Sequence, residues 1–364
     1  MTAYENLQQE IEHGISGKND GLPIGLPRAN KYIGLRRGVN TAIISATGMG
    51  KSSMLQNNYI LNPVDHYLQN KHKPGVIKPK IFLFSMERPE VYTVAKWMSR
   101  KIFLDQGILV PVGKMLGWWE EKLTMDEKNL IHEFKWYIDE IIEGGLIDII
   151  SGPQNPTGVY RHIKNYAESK GRIEHLSEYK KIYIPEDNTE LVVVALDHFG
   201  LMRLEKGLNT KKEAIDKTCE YMQFFRDLYN YSCVGVSQLN RDIASPVMLK
   251  MGDVEPSLET IKESGRIAED FEIVISVFDP LRYDFSHTLE KDKLGYEPYK
   301  MEDKQTGSRY YRRIKILKNS YSVSDLGIGA CLHGPTGILC ELPKVKDITD
   351  NTYESILSNS YFLK

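Results

Sequence analysis

The sequence predicts an α/β fold in which a mostly parallel central sheet is flanked by helices and carries hairpin or loop insertions. Two observations predict it. From residue 41 onward, short apolar runs rich in β-branched residues alternate with segments of helical period, the pattern of parallel strands joined by helical crossovers. Hydrophobic residues make up 41% of the 364 and charged residues 26%, enough to bury a sizeable core and unlike a disordered chain.

At the start, Thr2 and Glu5 have the spacing of a capping box, and Tyr4, Leu7 and Ile11 share one helical face. Residues 1–25 therefore read as a helix and a linker. So short a helix is unstable alone, and its apolar stripe must pack on this domain or on a neighbouring subunit. Residues 26–340 form the main domain, with strands expected at 41–45, 80–85, 146–150, 191–196, 232–236 and 272–278. Between them, Ile131, Phe134, Ile138, Ile141 and Ile142 mark one helix face, and Ile215, Cys219, Met222 and Tyr229 mark another. Three polar, tyrosine-containing stretches, 61–79, 172–190 and 282–312, read as surface loops or small hairpins, the second turning around Pro185-Glu186-Asp187-Asn188. Residues 341–364 read as a C-terminal tail.

A formal net charge of −2 excludes a globally basic nucleic-acid binder but leaves room for a local basic stripe. Cys219, Cys233, Cys331 and Cys340 lie far apart without metal-like spacing, as expected of reduced, mostly buried thiols in a cytoplasmic setting. The chain starts without a basic-then-apolar leader and has no apolar run near the length of a membrane span, so no membrane partner is expected.

The strongest chemical signal is Ser45-Ala46-Thr47-Gly48-Met49-Gly50-Lys51-Ser52, followed by Ser53, between an apolar strand and a helical segment. That is the context of a Walker A loop. Such a loop wraps backbone N–H groups around a β-phosphate; Gly48 and Gly50 permit the close approach and positive φ, Lys51 adds charge and Ser52 a Mg²⁺ ligand. Ser45 stands where the generic pattern has its first glycine. A second strand ends in Asp197, where a carboxylate would hold Mg²⁺ through water opposite Ser52. A strand-ending Asp is also an ordinary helix cap, and only the neighbouring phosphate loop favours the metal reading. Glu87, just past the run 81–85, could polarise a water attacking the γ-phosphate; the residues alone leave open a surface glutamate at a helix N-terminus. Gln238, in Ser237-Gln238-Leu239-Asn240-Arg241, could hydrogen-bond a phosphate oxygen and move when it leaves, although Ser-Gln by itself is a weak signal.

Taken in order, these stretches resemble the motor domain of the DnaB-like replicative helicases. The resemblance rests on Gly25 to Gly38 leading into the Walker A strand, Phe84 to Glu87, Val194 to Met202, Ser237 to Arg241 and Ile261 to Asp270, and spans about residues 20–335. It implies a RecA-like P-loop core that assembles into a ring, usually a hexamer, binds single-stranded DNA in its channel and hydrolyses ATP with Mg²⁺ between subunits. A primase or a loader is the implied replication partner. By the same resemblance Glu87 is the catalytic base, Asp197 the Walker B carboxylate and Gln238 the phosphate sensor. The stretch 240–257, with Asn240, Arg241, Lys250 and the adjoining Lys262, corresponds to the family's channel-facing DNA loop. A basic loop tracking a phosphate backbone is physically sensible, while a solvated surface lysine is the plainer reading of Lys250.

Two departures qualify the resemblance. The family's trans-acting Lys-x-Arg is here Lys318-Asn319-Ser320, so Lys318 is present and the arginine finger is Ser320. An arginine finger contributes roughly 10³–10⁵ in rate, so hydrolysis should be slow unless another cation, such as Arg312 or Arg313, takes its place. The family's N-terminal collar domain has no counterpart in this sequence, which suits a phage-type member acting in a host cytoplasm. Two further readings share the fold: a RecA-like recombinase, and a nucleotide-gated structural or regulatory assembly protein with weak hydrolysis.

Overall fold

A central sheet of nine strands organises the chain. The computed structural model describes residues 3–17, 19–177, 181–239, 255–261, 265–284 and 289–363; Asn240, Arg241, Lys250 and Lys262 lie outside them. The strands in chain order are β1 (Thr41–Ser45), β2 (Lys78–Ser85), β3 (Ile147–Ser151), β4 (Gly171–His175), β5 (Lys181–Pro185), β6 (Glu190–Asp197), β7 (Ser232–Gln238), β8 (Ile273–Phe278), β9 (Glu302–Asp303), β10 (Ser308–Arg309), β11 (Tyr311–Asn319), β12 (Leu326–His333) and β13 (Ile338–Glu341). The main sheet runs β13-β12-β11-β8-β1-β7-β6-β2-β3. From β8 to β3 the pairings are parallel, whereas β11, β12 and β13 add antiparallel strands at one edge. Six of these strands match the expected apolar runs to within two residues at either end.

Alternation along each strand loads both faces. On β6, Leu191, Val193 and Ala195 join one core with Met54, Tyr59, Trp97 and Tyr137. Val192, Val194 and Leu196 join the other, with Ile163, Cys219, Met222 and Phe225. The helix Lys211–Tyr229 that covers this second face begins where the Thr210 side chain accepts from the Glu213 N–H, and ends at Asn230 in the left-handed conformation (φ 57°). The helix Pro156–Ser169 beside it is capped by Asn155, with proline in its first turn.

The three expected loop insertions are folded differently. Stretch 61–79 opens with the helix Asn62–Asn70, continuous with the π-helical turns Met54–Leu61 that follow the phosphate loop. Asn62-Pro63 looks like a breaker in sequence, but wide π turns directly before it accommodate the ring. Stretch 172–190 does contain a hairpin, β4 with β5, yet Pro185 pairs with Gly171 at its base and residues 186–189 lead into β6 instead of turning it. In 282–312, Tyr296, Met301, Tyr310 and Tyr311 are buried, and Tyr311 and Arg312 already belong to β11. That stretch packs on β12, where Cβ atoms at Gly327 and Gly329 would lie 2.7 and 2.5 Å from Leu294 and Tyr296. Residues 341–364 include the helix Asp350–Leu357, and Tyr353, Ile356, Tyr361 and Phe362 pack with Phe103, Tyr310 and Cys331. At the other end, Tyr4, Leu7, Ile11 and Ile15 of the helix Ala3–Ile15 are all half or more exposed. Within this chain the stripe therefore lies in solvent.

Candidate functional site

The C-terminal ends of β1, β7, β6 and β2 lie along one edge of the sheet: Ser45 pairs with Gln238 and Ser85 with Asp197, while β7 runs two residues past the end of β6 because Leu196 pairs with Gly235. Open parallel sheets bind ligands outside this edge. The phosphate loop leaves β1 there and turns through Gly48 (φ 78°) and Gly50 (φ 110°) into a helix that starts at Lys51. Gly50 is doubly required: besides its φ, a Cβ would lie 2.9 Å from Leu332 Cδ2.

A cleft of about 380 Å³ opens above the loop, lined among others by Thr47, Gly48, Gly50, Lys51, Ser52, Ser53, Glu87 and Asp197. The Ser52 hydroxyl donates to Asp197 Oδ1 at 3.1 Å. Burial raises the Asp197 pKa, opposed by that hydrogen bond and by Lys51 and His198. One hydroxyl and one carboxylate side by side fit Mg²⁺, which takes one or two carboxylates and completes its shell with water and phosphate oxygens. Among the described residues no group of three acidic, histidine or cysteine side chains could hold a metal alone.

Ser45, Ala46 and Met49 support the loop from behind: Ser45 and Met49 are fully buried, and the Met49 N–H donates to Ala46 O at 3.4 Å. Gln238 stands next to the cleft, its amide 3.3 Å from His198 Nε2. His198 Nδ1 accepts from the Gly200 N–H at 3.2 Å, and the atom of Gln238 that faces its Nε2 is the amide nitrogen. The Gln238 amide thus connects to the residue that follows Asp197. Lys318 lies elsewhere. It sits level with the start of β8 and β1, on the opposite edge of the sheet, with Nζ donating to the Ala268 and Glu269 carbonyls, each at 2.8 Å.

The sequence reading missed several residues of the cleft. Lys96, on the helix Glu90–Gln106, reaches in beside Gly337 and Ser53, and burial with the neighbouring Arg88 depresses its pKa while Asp197 opposes. Its signal was a lysine among the buried positions Thr93, Ala95, Trp97 and Met98. Gly334, Thr336 and Gly337, from the β12–β13 turn, form the far wall. Five cationic side chains line the cleft, Lys51, Arg88, Lys96, Arg100 and Arg312, against Glu87 and Asp197. That balance suits a polyphosphate. Arg312 and Arg313 are both engaged within the chain. Arg312 donates to Met49 O at 2.8 Å and Tyr311 O at 2.6 Å; Arg313 pairs with Glu255 at 3.0 Å and lies over the Phe278 ring.

No family model matches the chain, and no curated protein matches it either. Solved structures do. The ATPase domain of a phage protein superposes with a TM-score of 0.66 at 15% identity over 94% of this chain and 98% of that one. A DnaB-like replicative helicase, described with its interactions with primase, superposes at 0.65 and 15% over 94% of this chain and 68% of that one. The fold is that of the RecA-like domain of DnaB-like helicases.

Proposed function

We propose that the protein is an ATP-dependent DNA helicase or translocase of DnaB-like type. The observation that carries this reading is the convergence of Lys51, Ser52, Glu87 and Asp197 on one cationic cleft at the switch edge of a helicase-type sheet. ATP is the substrate, with Mg²⁺ held by Ser52 and, through water, Asp197. When bound, Mg²⁺ neutralises charge on the β- and γ-phosphates. Lys51 and the loop N–H groups grip the same phosphates, Glu87 orients the attacking water and takes its proton, and Lys96 adds positive charge nearby. Gln238 links the phosphate end of the cleft to β7, whose continuation, 240–257, is the segment proposed to touch single-stranded DNA. Asn240, Arg241, Lys250 and Lys262 are its proposed contacts.

The reading includes a ring, by family analogy a hexamer, and three observations bear on it. The helix Ala3–Ile15 presents an uncovered apolar stripe flanked by Glu5, Glu10 and Glu12. A groove elsewhere on the surface is lined by Val94, Met98, Ile131 and Ile138 together with Lys128, His132 and the ion pair of Lys135 with Asp139. Helix and groove are complementary in their apolar faces, and Lys128 leaves a cation at the groove to meet the helix's glutamates, as expected of neighbouring copies. Lys318, remote from its own cleft, then serves the next subunit's site. A primase or loader would dock on the assembled ring. No helix among the described residues is long and apolar enough to cross a membrane, in keeping with a cytoplasmic replication protein.

Ser320 at the finger position favours a second reading, a nucleotide-gated assembly protein with weak hydrolysis. Steady-state ATP hydrolysis with and without single-stranded DNA, beside a Lys51→Ala control, separates the two. The motor reading expects DNA stimulation that Lys51→Ala abolishes; bound ATP with negligible turnover in both conditions selects the assembly protein. Strand displacement distinguishes a helicase from a RecA-like recombinase.

A further inference from the structure

Two arginines hold the phosphate loop by its carbonyls, Arg312 from the wall of the cleft and Arg282 from outside its lining. The Arg282 guanidinium donates to Thr47 O, and Arg312 Nε donates to Met49 O at 2.8 Å. Both come from the stretch that leaves β8 and returns as β11. A single buried carboxylate, Asp279, organises them. Its Oδ1 accepts from the Leu281 N–H at 3.1 Å, capping the turn that presents Arg282, while Oδ2 lies 3.6 Å from Arg312 Nη1 and 3.3 Å from Arg309 Nε.

The two contacts fall on alternate peptides of the loop. In a trans peptide the carbonyl and the N–H of one unit point in opposite directions. The 47–48 and 49–50 peptides are trans, so a cation fixing Thr47 O aims the Gly48 N–H away from itself, and one fixing Met49 O does the same for Gly50. A charged donor on the carbonyl also polarises the unit and strengthens its N–H as a donor. Gly48 and Gly50 both sit at positive φ, and glycine has the widest choice of backbone conformation, so contacts that fix these two peptides limit the loop's freedom beyond what the buried Ser45 and Met49 already supply.

We propose that Arg282 and Arg312 are positioning residues which pre-set the Gly48 and Gly50 N–H groups for the β-phosphate of a nucleoside di- or triphosphate. The inference rests on the phosphate-loop reading above and adds to it the residues that shape the loop. Arg312 is buried and also bonds Tyr311 O, so its removal disturbs β11; Arg282 is exposed and isolates the effect.

The experiment measures binding of fluorescent ADP and ATP, with Mg²⁺, to the wild type, Arg282→Ala and Arg282→Lys, together with nucleotide-free melting temperatures. Loss of one charge-assisted alignment weakens affinity by about tenfold. Arg282→Ala should weaken ADP and ATP by that same factor, because they share the β-phosphate. Arg282→Lys should recover part of the loss, with melting temperatures unchanged. Wild-type affinity in Arg282→Ala, or a loss confined to ATP, overturns the proposal. So does weaker binding accompanied by a lowered nucleotide-free melting temperature, which would make Arg282 a support of the fold. A wild type that binds neither nucleotide would instead defeat the phosphate-loop reading itself.

Discussion

Acid should loosen the far wall of the cleft through His333. This residue ends β12 at 2% exposure, stacked 4.8 Å from the Phe103 ring and tilted against Phe362 at 5.2 Å, with Nδ1 2.7 Å from the Thr336 hydroxyl. Burial lowers its pKa from 6.5 to about 4. The neutral form is therefore the folded form, and between these values the unfolded chain binds the extra proton. The contribution is present above the unfolded pKa and is lost as pH falls towards the folded one. Between about pH 7.5 and pH 5 the loss is about 2 kcal/mol. Gly334, Thr336 and Gly337 follow directly and line the cleft, so the weakening acts on the nucleotide wall. Urea unfolding of the wild type and His333→Gln at the two pH values provides the assay. The variant is less stable at the higher pH, having lost the ring packing, but it lacks the titration, so the gap should close by about 2 kcal/mol on acidification. A gap that stays constant with pH would refute the buried neutral imidazole.

Two other outcomes are expected. Glu87→Gln should bind ATP normally while turnover falls by about 10²–10⁴, the usual contribution of a general base; single-turnover hydrolysis at the wild-type rate would remove Glu87 from that role. Deleting residues 1–16 should abolish nucleotide-dependent self-association, read by light scattering, because it removes the stripe of Tyr4, Leu7, Ile11 and Ile15; an assembly of unchanged mass would place the subunit contact elsewhere.

How far the site could be read from sequence varied with how local its chemistry is. The phosphate loop is a contiguous string with its own geometric requirements, so Gly48, Gly50, Lys51 and Ser52 were legible together. Asp197, which ends one apolar run, and Glu87, two residues past another, were legible because strand ends of a parallel sheet share one edge. Lys96, Arg282 and the β12–β13 turn had no such mark. Lys96 sits within a helix, Arg282 within a polar stretch resembling any surface loop, and Gly327-Ile328-Gly329 has too many glycines to read as a strand. The glycines are there because Leu294 and Tyr296 occupy the space a Cβ would need.

The sequence by itself determined the alternation of strands and helices, the phosphate loop and the carboxylates at the strand ends, because periodicity and turn chemistry act over a few residues. Only the tertiary structure decided what the polar insertions do. Whether Arg312 and Arg313 were free to replace a missing finger depended on Met49, Tyr311, Asp279 and Glu255, partners up to 263 positions away, and the fold engages both within the chain. A charge is written in the sequence, but what it is paired with depends on contacts between distant segments, which no local pattern encodes.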